Sequence, residues 1–567
     1  MYLRVTRRRN QDGSVAEYYQ LAETHRDPKT RQPTARIIHN FGRADAPERE
    51  ALLQLARSIT RVCHKGLDVP ANLVAPGEKI EIEWARPLGT VHVVRALWEE
   101  LGIGEVLRAH QRTRDRRAPH ELAVFSMVAN RLLEPLSKRA CHEHWIPTRV
   151  HFPEAAALTL EQLYFAMDFL ETHSADIERA VFFRTADLFR ADVDLVFWDT
   201  TSVYFEVDDE DEYPQTRRGR TLPPLRKRGH SKDRRDGDPQ VVVGLALTRD
   251  GLPVRTWVFP GNTVDATTVA RVKEDLRGWK LGRAIFVGDA GMDSEANRTE
   301  LSKGLGHYIL AMPVGKLKEV QEDVLARPGR FRKVHDTLEV KEVVVGEGER
   351  RRRYIVCRNE QEAERQRHHR DEILTALKHE LARLDPEATA HSKRACELVA
   401  SARYGRYLTR GPGGRLALDA EAVHAAERLD GKYVLLTNDD TLTPEDVGLG
   451  YKSMMIIEAC FRRMKTTGLR IRPIYHWTAH RIVSHVKLCA LALLIERAAE
   501  IRTGDTWRNL RLALDELQAV RYQVQGTAIV QSTRPTPEAA AILKKLKISP
   551  PLRVLAVEKP PAETSTP

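Results

Sequence analysis

The run "LVFWDTTSVYF" at positions 195–205 constrains the chain more than any other stretch. Leu195, Val196, Phe197 and Trp198 precede Asp199, and Val203, Tyr204 and Phe205 close the run. The residues are β-branched or aromatic and do not alternate with polar ones, which is the pattern of a central strand covered on both faces. A carboxylate in such a strand is costly unless it is hydrogen-bonded, paired or bound to a cation. Two readings are open here: Asp199 is a buried acid satisfied by backbone amides, or it is fixed in the strand as a ligand. The acids from Glu206 to Glu212 follow where the strand ends, beside a basic stretch, and read as a solvated charged face.

The surroundings of this strand predict an α/β core. "PQVVVGLALTRDGLPVRTWVFPGN" reads as a hairpin turning at Asp250-Gly251. "DATTVARVKEDLRGWK" reads as a helix capped by Asp265. "RAIFVGDAGMDSEAN" is a short apolar strand ending at Asp289, followed by a turn and a helix from Ser294, and "GHYILAMPV" is a further strand. The order is three strands in a meander, then α/β crossovers. From 316 to 432 the pattern changes to possible strands such as "RRRYIVCRN", a long charged helix and Gly-rich turns at 411–414, which predicts an insertion into the core or a separate domain. "GKYVLLTND" returns as a strand, "PEDVGLGYKSMMIIEACFRRMKT" predicts a helix to about 466 and "HRIVSHVKLCALALLIERAAEI" another. The apolar "LCALALLI" within it is too short to span a bilayer and reads as a buried helix.

The flanks differ in kind. Residues 1–75 read as a small basic β-rich module with a helix: a hairpin turning at Asp12-Gly13, a third strand at 35–41 and a helix at 47–62, then a linker to about 79. Residues 80–190 are helical, with a break at Gly102 and Gly104 and a helix that starts at a Pro and stops before Pro135. This basic helical region is the expected DNA-gripping part. His142 and His144 are two apart and point to different sides of a helix, so they read poorly as metal ligands. Residues 501–567 carry an amphipathic helix at 508–519, a strand-like "RYQVQGTAIV", a short Lys-rich helix and a tail with the composition of disorder.

Charge points to a polyanionic partner. The net charge is +11, and the basic residues cluster in "RRGRTLPPLRKRGHSKDRR" at 217–235, which includes Arg228, Lys232 and Arg234. Read as a flexible loop, it suits a track of nucleic-acid phosphates. The six cysteines form no C-x-x-C pair, which argues against a zinc ribbon or a disulfide framework and for a reducing cytoplasm. The N-terminus "MYLRVTRRRNQDG" has no apolar segment of a signal peptide, and no membrane partner is expected.

Three acids stand on three elements of the expected core: Asp199 in the first strand, Asp289 at the end of the fourth and Glu458 in the helix after the 316–432 stretch. Carboxylates so placed suit a pair of hard divalent cations, which clamp the attacking and leaving oxygens of a phosphodiester. Tyr451, Glu458 and Lys465 are seven apart, which on one helix returns each to nearly the same face, about 10 Å apart along the axis. Asp194 and Asp293 are the alternative acids, Asp293 with a cap role for the helix that follows.

With these motifs the sequence resembles the DDE transposases of bacterial insertion sequences, in the group with a β-rich insertion before the catalytic Glu and the pattern Y-x2-R-x3-E-x6-K around it. Tyr451, Glu458 and Lys465 match that pattern, while Met454 stands at the arginine position. The other matching segments are "WDTTSVYFE", "RGHSKDRR" followed by "PQVVVGL", "FPGNTVDATTV", "VGDAGMDSEAN" and "IYHWTAHRIVSHVKLCALAL", so the likeness spans about 190 to 495. It implies an α/β fold with a ribonuclease H-like catalytic core, a mixed five-stranded sheet with flanking helices, at 191–315 and 433–500, interrupted by an insertion domain at 316–432. It implies catalytic and metal-binding roles for Asp199, Asp289 and Glu458, with Mg²⁺ or Mn²⁺. Tyr451, Lys465, Arg462, Lys232, Arg228 and Arg234 are the expected DNA contacts. The expected partners are double-stranded DNA with terminal inverted repeats and target DNA, held by a dimer. Two alternatives stand beside this: a nuclease of the same core that cuts without joining, and a DNA-binding remnant without activity.

Overall fold

The computed structural model describes residues 2–9, 15–26, 33–43, 80–111, 117–189, 194–217, 219–279, 281, 284–304, 306–314, 317–384, 392–411, 415–524 and 527–558. The expected turn at Asp12-Gly13, the helix at 47–62 and the tail beyond 558 lie outside these residues. The chain forms two compact units.

The smaller unit is made of strands. Tyr2–Arg9, Val15–Arg26 and Pro33–Arg43 form an antiparallel three-stranded sheet, in agreement with the alternation read at the N-terminus. A second sheet pairs Glu81–Pro87 with the C-terminal strands Gln518–Val524, Thr527–Ser532 and Val554–Glu558.

The larger unit is built on a nine-stranded mixed sheet. In chain order its strands are β1 (Leu195–Tyr204), β2 (Gln240–Thr248), β3 (Pro253–Pro260), β4 (Ile285–Gly288), β5 (His307–Met312), β6 (Arg332–His335), β7 (Leu338–Val345), β8 (Arg352–Arg358) and β9 (Lys432–Thr437). Their order in space is β6-β7-β8-β9-β5-β4-β1-β2-β3. β1, β2 and β3 form the antiparallel meander, and β4 and β5 run parallel to β1. Helix α1 (Val269–Leu276) and helix α2 (Glu295–Ser302) make the crossovers. The stretch 316–432 contributes β6, β7 and β8 to this same sheet, with β9 antiparallel to both β5 and β8. Its long helix Glu360–Ala382 instead buries Ile373 and Leu377 with Tyr407 in a small cluster of their own.

The central strands are covered on both faces, as their lack of alternation requires. Every residue of β2 is buried, and in β1 only Asp199 and Tyr204 are not fully buried. Trp198 meets Trp257 edge to face at 5.0 Å, and Gly244 on β2 leaves room for its ring: a Cβ there would lie 2.1 Å from the Trp198 indole. Helix α3 (Pro444–Lys452) starts at a capping box of Thr443 and Asp446. It is followed by α4 (Met455–Arg462) and by α5 (Ala479–Thr503), which is buried nearly all round. The helices Gly89–Glu100, His120–Leu133 and Leu160–Thr172 of the 80–190 region pack around α5. Much of the apolar surface of that helical region is thus used to enclose α5.

Two sequence expectations are corrected. The run from Tyr451 to Lys465 is not one regular helix: α3 ends at Lys452, a tight turn through Ser453 and Met454 leads into α4, and residues 463–467 widen into a π-helical turn. Met454 is buried and the Met454 amide bonds to the Tyr451 carbonyl three residues back, which tightens the winding at this point. The basic segment 217–235 is also no free loop, because Arg217, Arg226 and Lys227 pair with acids that precede it and Arg228 is held by the Asp208 carbonyl.

Candidate active site

Asp199 and Asp289 come together through strand pairing. β1 and β4 are parallel with Leu195 opposite Ile285, Val196 opposite Phe286 and Phe197 opposite Val287. Continuing that register by two residues sets Asp289 beside Asp199, on neighbouring strands that lie about 4.8 Å apart. Asp199 accepts from the Thr200 amide at 2.7 Å. Asp289 leaves the strand and caps the short turn Ala290–Met292, accepting from the Gly291 amide at 3.0 Å. Burial pushes the Asp199 carboxyl up to about 6, against the pull of the Lys232 ammonium and with a further push from Asp289. Asp289 is also raised, by burial first.

Glu458 stands in the first turn of α4, a helix that packs on β1. Its side chain is exposed. Tyr451 stands near the end of α3. Its hydroxyl is held well above the usual tyrosine range by burial and then by the charges of Asp289, Glu458 and Asp199. Among the described residues no three of His, Cys, Asp and Glu are close enough together to ligate one ion. Hard oxygen donors with concentrated negative charge nevertheless fit a hard cation, and one cation already sits among them, the ammonium of Lys232.

Lys232 lies 3.3 Å from Asp199 Oδ1 and 3.1 Å from Asp265 Oδ2, and donates to the Thr200 carbonyl at 2.7 Å. The sequence pattern predicts Asp265 as a helix cap. Its carboxylate instead accepts from Thr200 Oγ1 at 2.5 Å and pairs with Lys232, so a fourth acid borders the site. Position alone could have flagged it, since "NTVDATT" follows directly on β3, but its orientation depends on the packing of the turn Asp265–Thr268.

Lys465 reaches Asp233 at 2.7 Å and Thr201 on β1 at 3.1 Å, and Arg472 lies 3.3 Å from the other Asp233 oxygen. The segment after Glu458 and the basic segment are thereby locked together over the first strand. Arg462 is exposed, one turn past Glu458. Arg463 points the other way and is paired with Glu496 at 2.8 Å and with Glu500, both buried on α5. Lys452 turns aside to Thr337 at 2.7 Å.

Among the acids of 206–212, Glu206, Asp208, Asp209 and Glu212 are exposed, as a solvated face requires, and Asp211 departs from that reading. Asp211 is buried and takes the Arg226 guanidinium at 2.6 Å together with the Leu225 and Arg226 amides. Arg228 donates to the Gly237 and Asp208 carbonyls at 2.9 and 2.5 Å, and its amide bonds to Glu210. Arg217 pairs with Asp168 at 2.6 Å. Arg234 is exposed, with φ at +58°. The alternative acids are engaged elsewhere: Asp194 pairs with Arg249 at 2.7 Å, and Asp293 with Arg298 at 2.7 Å while Ser294 takes the cap.

Sequence inspection missed the ground beside Lys465. Phe205, Arg226, Lys465, Arg472 and Trp477 line an open cavity of about 550 Å³. Trp477 is 60% exposed and carries the Arg226 guanidinium at 4.8 Å from its ring centre.

A mixed α/β sheet with one acid inside a central strand, a second just past the end of its parallel neighbour and cations around them suits phosphodiester chemistry. The comparisons with known proteins agree. Residues 3–70 match the IS1634 family transposase N-terminal domain, and residues 218–495 match the transposase DDE domain, together more than half of the chain. The chain belongs to the DDE transposases of insertion sequences, enzymes that cleave DNA and transfer its strands. Asp289 and Glu458 fall inside the second match and Asp199 precedes it. Among solved structures, the cryo-EM structure of a piggyBac transposase synaptic complex with hairpin DNA is similar at 8% identity over 77% of this chain and 83% of that one, with a TM-score of 0.32, from which nothing is concluded. No curated protein matches the sequence. No described helix is long and apolar enough to cross a membrane.

Proposed function

We propose that Asp199, Asp289 and Glu458 are the catalytic carboxylates of a ribonuclease H-like core, and that they hold Mg²⁺, or Mn²⁺, for cleavage at the ends of an insertion sequence and joining to target DNA. The observation that carries this is the parallel register that sets Asp289 beside Asp199, with Glu458 on the helix that packs against the same first strand. The order β3-β2-β1-β4-β5, an antiparallel meander followed by two parallel strands, supports the core assignment. Divalent cations held there would supply charge stabilisation at the attacking and leaving oxygens of the phosphodiester. The chain's own residues do the rest. The rigid strand holds Asp199 in place, since packing on both faces leaves it one position. Arg462 and Lys465, one and two turns past Glu458, are cations for the flanking phosphates, and Arg234 extends that track. Tyr451, half-buried and held in its neutral form, can donate a hydrogen bond to an oxygen near the acids. The substrate is double-stranded DNA with terminal inverted repeats, paired by a dimer in the bacterial cytoplasm.

The test uses the purified chain, a duplex carrying the terminal repeat, a target plasmid and Mg²⁺. Cut ends and joined products are expected, both lost in Asp199→Asn, Asp289→Asn and Glu458→Gln. Cut products without joined ones would make the protein a nuclease, and near-normal cutting by any variant would remove that residue from the site.

A further inference from the structure

The Lys232 ammonium is enclosed by oxygen. The Thr200 carbonyl lies at 2.7 Å, Thr200 Oγ1 and Asp265 Oδ2 at 3.1 Å, and Asp199 Oδ1 at 3.3 Å. An ammonium has three protons to donate, so four oxygens exceed what it can bond at one time. Such an oxygen-rich shell is the surrounding that hard metal cations take.

The backbone that carries this side chain is held firmly. The Lys232 amide donates to Ser202 Oγ at 2.8 Å on β1, and the next residue, Asp233, is held by Lys465 at 2.7 Å. The side chain itself is 36% exposed, so close packing does not fix it. Charge draws it onto Asp199 and Asp265. A second cation on Asp199 would share that carboxylate with an ammonium, and like charges so close repel strongly in a partly buried site. A lysine, a point charge on a flexible four-carbon stem, can answer by swinging to another anion. The open side of the site is where DNA phosphate would lie.

We propose, on the reading of Asp199 as a metal ligand, that Lys232 is an internal counter-ion of the catalytic carboxylates. Its ammonium neutralises Asp199 and Asp265 in the DNA-free enzyme and passes to a DNA phosphate when a divalent cation takes Asp199. Metal and DNA then bind with positive coupling, because each removes the obstacle to the other. The enzyme holds metal weakly until a DNA phosphate is present to receive the lysine.

The test is a Mn²⁺ titration followed by electron paramagnetic resonance on the full chain without DNA, with Lys232→Met and Lys232→Gln beside the wild type. Both variants are expected to bind Mn²⁺ about tenfold more tightly, within the usual range of coupling between sites. Lys232→Gln keeps a donor for the Thr200 carbonyl and carries the same expectation if the Met variant does not fold. A second readout is DNA binding against salt with Ca²⁺ or with a chelator. Ca²⁺ should steepen the wild-type slope by about 0.9, one phosphate contact, and leave the slope of Lys232→Met unchanged. Unchanged or weaker Mn²⁺ binding in the variants, or equal steepening in both proteins, overturns the counter-ion role. Asp199→Asn separates the two levels: if it binds Mn²⁺ as the wild type does, the assignment of Asp199 itself fails.

Discussion

Lys465 donates to Asp233 at 2.7 Å across 232 positions of sequence, and so ties the helical segment that carries Glu458 to the basic segment that carries Lys232. The same ammonium touches Thr201, two residues beyond Asp199. A residue expected to hold DNA therefore also holds two parts of the site together, which shapes what its removal should do.

Lys465→Ala should lower the rate of joining by about 10²-fold, as loss of one positioned cation in a reaction site does. End-binding affinity should change far less, because other phosphate contacts remain. Single-turnover joining under saturating DNA, with binding measured on the same duplex, distinguishes this from an ordinary surface cation, whose loss would leave the rate unchanged.

Arg462 and Arg463 should behave differently. Arg462 is exposed beside Glu458, so Arg462→Ala should slow joining and leave folding intact. Arg463→Ala leaves Glu496 buried without its partner, while Glu500 keeps Arg497 at 2.7 Å, and should cost about 3 kcal/mol of stability. Chemical denaturation read against joining rate separates them, and equal stability of the two variants would contradict the buried pairing.

The basic segment divides in the same way. Arg226→Ala strands Asp211 in a buried setting and should destabilise by about 3–5 kcal/mol. Arg234→Ala should leave stability unchanged and reduce the salt slope of DNA binding by about 0.9. A slope identical to that of the wild type would place Arg234 away from the DNA.

Asp199 should carry a pH signature in the absence of metal. Its carboxyl is raised to about 6 by burial, so the folded state takes a proton more readily than the unfolded chain. That contribution to stability is fully present below pH 4 and is lost as the pH rises through 6. Asp199→Asn should therefore be more stable than the wild type above pH 7, by up to about 3 kcal/mol, with the difference vanishing near pH 4. Thermal unfolding at pH 4 and pH 8 checks the sign; an equal difference at both values would mean that the Asp199 charge is not the cause.

Local pattern was enough for much of the larger unit. Non-alternating apolar runs placed β1 and β2, the glycine at 251 placed their hairpin with β3, and the order of strands and helices predicted the crossovers that bring β4 beside β1. The seven-residue spacing from Tyr451 to Glu458 to Lys465 correctly marked one region, yet its reading as a single helix failed, because helical periodicity cannot register a tight turn at Ser453 and a widened turn after Arg462.

Sequence by itself determined that Asp199 sits inside an apolar strand and Asp289 just past the end of another, and that a dense group of cations lies between β1 and β2, because these follow from near neighbours in the chain. Only tertiary structure decided what those charges do. Asp211 looks like any acid in a charged run, and Asp265 like any helix cap, until the fold brings Arg226 to one and Lys232 to the other. The physical reason is that the energy of a charge depends on burial and on partners in space, and neither is set by the residues beside it in sequence.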